Sequence, residues 1–304
     1  MDLFFIAIVS IFCYSFYIRI FKKISQYERE EGLRSHKVKN GTITMGGIIF
    51  ALIPPLFIIY DQKVFNIVLT VSLFSVIGLF DDFLIVIKKN NTGIKPTIKL
   101  LLEVLIAAVS FYLFLDLKFM TTIHIFNYEL DIKWLYGLLI LLILTSSTNA
   151  FNLTDGIDGL CSGLSLIISF GFLYIAYIKN EMLIFYMIIC YMIPLFVFWC
   201  FNFPKAFLFM GDTGSLFLGA FYAMLSIYLD CIIPFIFMSL IFIFETISVI
   251  LQVFYFKKTN GKRLFKMAPF HHHLEMCGFK EYQIDFLLYF IQIILVALCI
   301  IIFY

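Results

Sequence analysis

The chain has 304 residues, 62% of them hydrophobic, 19% aromatic and only 14% charged, and a mean hydropathy of +1.01. Repeated apolar stretches approaching the ~20 residues that cross ~30 Å of hydrocarbon exclude a soluble globular core and indicate a polytopic helical membrane protein. The net charge of +2 excludes little, whereas seven cysteines with no CxxC spacing argue against a disulfide framework or a zinc site.

Read in chain order, the apolar runs are Leu3 to Ile20, Met45 to Ile59, Val64 to Phe80, Leu100 to Leu115, Trp134 to Ser146, Leu160 to Ile178, Met182 to Phe201, Ser215 to Leu229, Ile232 to Phe256 and Phe286 to Phe303. They predict an all-α protein of about ten transmembrane helices in a single domain spanning residues 1–304, with the second helix kinked by Pro54 and Pro55. The first run has no preceding basic residue and no small-residue cleavage signature, so it reads as a retained span. Of the 22 Lys and Arg, 17 fall in alternate loops beginning with the first and 4 in the intervening ones. The positive-inside rule therefore puts the odd loops in the cytoplasm and both termini outside.

Five aspartates fall on that basic side: Asp81 and Asp82 after the third run, Asp155 and Asp158 in the fifth loop, Asp212 in the seventh. A carboxylate at a membrane boundary costs several kcal/mol as it nears hydrocarbon, so each calls for a function. The fifth loop reads NLTDGIDG, with Asn152, Asp155 and Asp158 at i, i+3 spacing, which on a helical start would share one face. FMGDTGS surrounds Asp212. Carboxylates without soft ligands suit Mg2+, which takes one or two of them and leaves its other positions to water and phosphate. Asp81 and Asp82 point about 100° apart on a helix and so are expected to do different work.

The ninth loop carries KKTNGKRLFKMAPFHHHLE, with His271, His272 and His273 consecutive. Metal-binding histidines on a helix are spaced i, i+4, so basic residues around this triplet point to a phosphate or diphosphate instead. In the first loop, KNGTITMGG offers Lys39, Thr42 and Thr44 beside glycines. Glu103 and Glu245 lie inside runs, where polar contact between helices is the expected role.

GTITMGG, GLFDDF, Lys99, TNAFNLTDGIDGL, FNFPKAFLFMGDTGS, FETISVILQ and KMAPFHHHLE, in this order over nearly the whole chain, resemble the polyprenyl-phosphate N-acetylhexosamine-1-phosphate transferase superfamily. KMAPFHHHLE is similar to its phospho-N-acetylmuramoyl-pentapeptide branch; relatives using UDP-GlcNAc carry a more Arg-rich segment. The resemblance implies a ten-helix, Mg2+-dependent enzyme in the bacterial inner membrane with its active site facing the cytoplasm. It would transfer phospho-MurNAc-pentapeptide from UDP-MurNAc-pentapeptide to undecaprenyl phosphate, giving lipid I and UMP. Its implied partners are these substrates and the bilayer, with a homodimer among the allowed assemblies and no nucleic acid.

Carried over motif by motif, the resemblance makes Asp212 the Mg2+ ligand, Asp81 the acid that activates or orients the lipid phosphate, and Asp82 its support. Asn152, Asp155, Asp158 and Asn202 would line the nucleotide and diphosphate region, and Phe209 would stack on uracil. Lys39, Thr44, Lys99 and His271, His272 and His273 would bind or orient phosphates, with His271 counted among the catalytic set. Two positions depart from the family pattern: Ile43 stands where Pro is usual, and Ile85 where a Lys follows the acidic pair. The alternatives are a UDP-GlcNAc sister enzyme and an ion-coupled secondary transporter. Acids clustered on one side, without an internal repeat, weigh against the transporter.

Overall fold

A computed structural model describes residues 3–21, 42–57, 61–88, 92–116, 121–125 and 128–304. Lys39 lies outside the described residues. The helices are α1 (Leu3–Ile20), α2 (Gly47–Ala51), α3 (Gln62–Lys88), α4 (Pro96–Asp116), α5 (Leu135–Thr154), α6 (Leu160–Ile178), α7 (Met182–Asn202), α8 (Gly211–Tyr228), α9 (Ile232–Met238), α10 (Leu240–Lys258), α11 (Phe270–Met276) and α12 (Glu281–Phe303). A 3-10 turn at Pro54–Phe57 follows α2, and an antiparallel hairpin of β1 (Thr122–Ile125) and β2 (Tyr128–Asp131) follows α4.

Among the described residues eight helices are long and apolar enough to cross a membrane: α1, α3, α4, α5, α6, α7, α10 and α12. The protein is thus an all-α polytopic membrane protein carrying one small hairpin that hydropathy did not announce. The predicted second run is broken into α2 and the Pro54–Phe57 turn, because proline cannot donate to a helical ladder. The predicted ninth run divides at Ser239 into α9 and α10.

Helix α8 differs in kind from its neighbours. Every residue from Thr213 to Tyr228 is buried, whereas α1, α4 and α12 leave many Phe, Leu and Ile side chains exposed. A helix buried on all sides belongs to the interior, and α3 and α5 pack most extensively against it. Small residues permit the approach: Gly78 of α3 abuts the backbone of Asp212 and Thr213, and Gly219 of α8 abuts Ser147 and Thr148 of α5. In a bilayer such van der Waals contact replaces the hydrophobic drive that lipid removes. The result brings the N-terminus of α8 to the end of the bundle where α3 and α5 finish and α4 begins.

Candidate active site

Helix boundaries move several acids from where hydropathy placed them. Asp81 and Asp82 do not open a loop; they lie in the last two turns of α3. Asn152 is in the last turn of α5, which ends at Thr154, so Asn152, Asp155 and Asp158 do not share one helical face. An apolar run ends where polar residues begin. A helix instead continues as long as its polar side chains find partners, and here they do.

Asp82 accepts hydrogen bonds from the backbone N–H of Asp212 at 2.9 Å and of Thr213 at 3.0 Å, and from the Thr213 hydroxyl at 2.7 Å. These two amides are among the first-turn donors that α8 cannot satisfy internally, and the helix dipole favours an anion there. Gly211 precedes them at φ 74°, a left-handed conformation natural to glycine, and a β-carbon there would strike the Asp82 carboxylate. Asp82 therefore fixes the position of Asp212.

Asp81, one residue earlier, faces a charge. Its Oδ1 accepts the Ile94 N–H, and its Oδ2 lies 3.4 Å from Lys99 Nζ at the start of α4. The same ammonium is paired with Asp212 Oδ2. Asp212 Oδ1 accepts from Asn152 Nδ2 at 2.8 Å, and that amide also donates to Ser215 Oγ at 3.0 Å. Lys99 is the cation at the acidic pair. Lys88 turns back to the Thr92 carbonyl at 3.1 Å, Ile85 is half-buried, and Lys89 is outside the described residues.

Below this layer, Glu103 follows Lys99 by one turn on α4 and Asn149 precedes Asn152 by three residues on α5. Asn149 Nδ2 donates to Glu103 Oε2 at 2.6 Å, the interhelical polar contact expected of Glu103. Asn149 and Ser215 were not singled out from sequence. Their spacing of three from Asn152 and Asp212, on the same helical faces, was the available signal.

The loop after α5 is held by different means. Asp158 Oδ2 accepts the Ala206 N–H at 2.9 Å, and its own N–H donates to Glu281 Oε2 at 3.0 Å. Asn202 is buried, accepting from Gly159 N–H at 2.8 Å and Ser162 Oγ at 3.2 Å and donating to the Leu208 carbonyl at 2.9 Å. Both side chains thus tie the 155–159 loop to the 203–209 segment. Asp155 is only half-buried at its surface, yet enough protein surrounds it that desolvation, followed by the charges of Asp212, Asp82 and Asp158, pushes its carboxyl up to about 8.

GTITMGG and FMGDTGS are zipped together. Phe209 N–H donates to the Ile43 carbonyl at 2.7 Å, and Gly46 N–H to the Phe209 carbonyl at 2.9 Å. This leaves the Phe209 ring half-buried and Thr44 buried, the Thr44 carbonyl accepting from Tyr17 Oη at 3.0 Å. The three histidines separate. His271 is fully buried, Nδ1 3.2 Å from Glu245 Oε2 and Nε2 against Gly156. His272 Nδ1 meets Glu275 Oε2 at 2.7 Å, and His273 packs on Phe265 and Phe270 while accepting the Lys266 N–H at 3.2 Å.

No group of three or more His, Cys, Asp or Glu arranged to hold a metal occurs among the described residues. Two carboxylate oxygens, from Asp81 and Asp212, do converge on one cation, the Lys99 ammonium. That donor set fits Mg2+, which needs one or two carboxylates and fills its shell with water and phosphate oxygens.

The profile of "Glycosyl transferase family 4" matches residues 64–230, which contain Asp81, Asp82, Lys99, Asn152, Asp155, Asp158 and Asp212. The chain is 39% identical over 274 residues to curated proteins named phospho-N-acetylmuramoyl-pentapeptide-transferase from Staphylococcus aureus strains bovine RF122 / ET3-1, JH9 and Newman; the alignments cover 86% of this chain and 85% of each relative. Its matched segment, and its identity across most of both lengths, make this chain a member of glycosyl transferase family 4, in the phospho-N-acetylmuramoyl-pentapeptide-transferase family.

Proposed function

We propose that this protein transfers phospho-MurNAc-pentapeptide from UDP-MurNAc-pentapeptide to undecaprenyl phosphate, producing lipid I and UMP, with Mg2+ as cofactor. The observation that carries the reading is the partly buried cluster in which Asp81, Lys99, Asp212 and Asn152 meet at the N-terminus of α8. Phosphoryl transfer between two polyanions is governed by charge neutralisation and positioning, and this cluster offers both. The acidic cluster and the basic α10–α11 segment lie at the same end of the bundle. The positive-inside rule puts that end in the cytoplasm, where a soluble nucleotide donor is available, and the family resemblance implies a bacterial inner membrane.

The acceptor phosphate is its own nucleophile. Its oxygen attacks the β-phosphorus of the donor, and the bond from that phosphorus to the oxygen of the α-phosphate breaks, releasing UMP. Asp81 is held through Oδ1 by Ile94 N–H, leaving Oδ2 to take a proton from the acceptor phosphate or to orient it. Lys99 offsets negative charge, and Asn152 sets the rotation of the Asp212 carboxylate. Asp212 would hold Mg2+, which when bound supplies charge neutralisation on the diphosphate, while Asp81 Oδ2 is kept for the acceptor phosphate.

The test offers purified protein undecaprenyl phosphate with either UDP-MurNAc-pentapeptide or UDP-GlcNAc and reads UMP release. Release with the first donor is expected. Preference for UDP-GlcNAc would overturn the donor assignment, and ion uptake into liposomes without UMP release would overturn the enzyme.

A further inference from the structure

Glu103 is fully buried, and its Oε1 has no hydrogen-bond partner among the described residues, although Oε2 accepts from Asn149. A buried carboxylate with one unsatisfied oxygen is costly, and such a group calls for an explanation. Glu103 lies four residues after Lys99 on α4, so the two occupy one helical face about 5–6 Å apart at their β-carbons. The charges of Lys99 and Asp212 both act on it.

Lys99 now occupies the oxygens a divalent cation would need, Asp212 Oδ2 foremost. An ammonium left beside an incoming dication meets like-charge repulsion, and the Lys99 side chain, only 15% exposed, is destabilised if it is released there without a partner. Remaining on Asp81 would keep two cations within a few ångströms and block the oxygen assigned to the acceptor phosphate. The lysine stem is flexible, with three rotatable donors, and one turn away a carboxylate oxygen lacks a partner.

Resting on the Mg2+ reading above, we propose that Glu103 is a positioning residue, the second berth of the Lys99 ammonium. When a divalent cation takes Asp212, Lys99 moves one turn along α4 onto Glu103 Oε1, so that the internal positive charge is kept near the site yet off the metal ligands. Glu103 thereby eases cation binding at a residue it does not itself touch.

The experiment titrates Mn2+ into purified protein in detergent and follows the bound ion by paramagnetic resonance, independently of turnover. Glu103→Gln keeps the acceptor for Asn149 and removes the charge. It should weaken Mn2+ binding about tenfold, a coupling typical of sites that share one group. In a Lys99→Met background there is no ammonium to relocate, so adding Glu103→Gln should change affinity by less than about twofold by the same coupling argument. Lys99→Gln replaces Lys99→Met if that variant does not accumulate. Equal weakening in both backgrounds would show that Glu103 acts only through its charge on the metal, and overturn the berth. An unchanged affinity in Glu103→Gln alone overturns it too. If wild type binds Mn2+ no better than Asp212→Asn, the cation assignment and the berth fall together; saturable wild-type binding with a flat Glu103→Gln response removes the berth alone.

Discussion

Asp81 and Asp82 are adjacent, equally buried and chemically identical, but their partners differ. Asp82 is satisfied by two backbone amides and a hydroxyl of α8, while Asp81 faces one amide and the ammonium it shares with Asp212. The same division separates two regions of the site. In the 155–159 and 202–209 segments, Asp158 and Asn202 bind mainly main chain and hold loops together. Around Lys99, two carboxylates bind a side-chain cation, which on the proposed reading gives way to metal and substrate. The partner tells an architectural acid from a reacting one more directly than residue type does. The strongest test of this contrast is Asp212→Ala, which removes the carboxylate facing Lys99 and Asn152 while leaving its backbone N–H to Asp82. UMP release should fall by about 10³-fold or more, the scale of losing a main electrostatic element of a transition state. Thermal stability in detergent should change far less.

Asp82→Ala should show the opposite balance. It strips the partner from two first-turn amides and the Thr213 hydroxyl in a buried setting, which costs about 2–4 kcal/mol at ~1–3 kcal/mol per unsatisfied group after partial relaxation. A lowered midpoint of thermal unfolding is expected, with activity lost as α8 shifts. Asp82→Asn, which keeps an acceptor oxygen, should recover part of the stability. If Asp82→Ala unfolds at the wild-type temperature, the carboxylate is not what seats α8, and the division between the two aspartates fails.

Much of this site could be read from the chain because acids in an apolar setting are conspicuous, and loops rich in Lys and Arg put them on one side. Their individual tasks were less legible. Asp82 and Asp212 are 130 residues apart, as are Asp158 and Glu281 by 123, and nothing local encodes such pairings. Hydropathy reads lipid exposure rather than backbone hydrogen bonding, so it ended α3 before Asp81 and α5 before Asn152. It also treated α8 like its neighbours, although this helix touches only protein. The β1–β2 hairpin was missed because four-residue strands between spans leave little periodicity to detect. Asn149 was passed over since it lies beyond the run that ends at Ser146, among other small polar residues, and says little until Glu103 is found beside it.

The histidine triplet applies the same contrast on a smaller scale. Residues in succession on α11 fan around its axis, and only His271 is driven inward, between Glu245 and Gly156 of the loop that carries Asp155. His273 turns outward onto Phe265 and Phe270 and takes the Lys266 N–H. His271→Ala keeps the backbone N–H that Glu245 Oε2 accepts but removes the ring packed between Glu245 and Gly156, leaving a cavity beneath the loop, and should lower UMP release by at least about tenfold, given ~2–5 kcal/mol for emptying a large buried side-chain site. His273→Ala removes mainly packing at a partly exposed position and should stay within about threefold of wild type, as substitutions outside the core usually do. The ratio between the two variants is the informative quantity. Equal losses would mean that the triplet acts as one phosphate-binding surface, and that burial of His271 does not divide its work from that of His273.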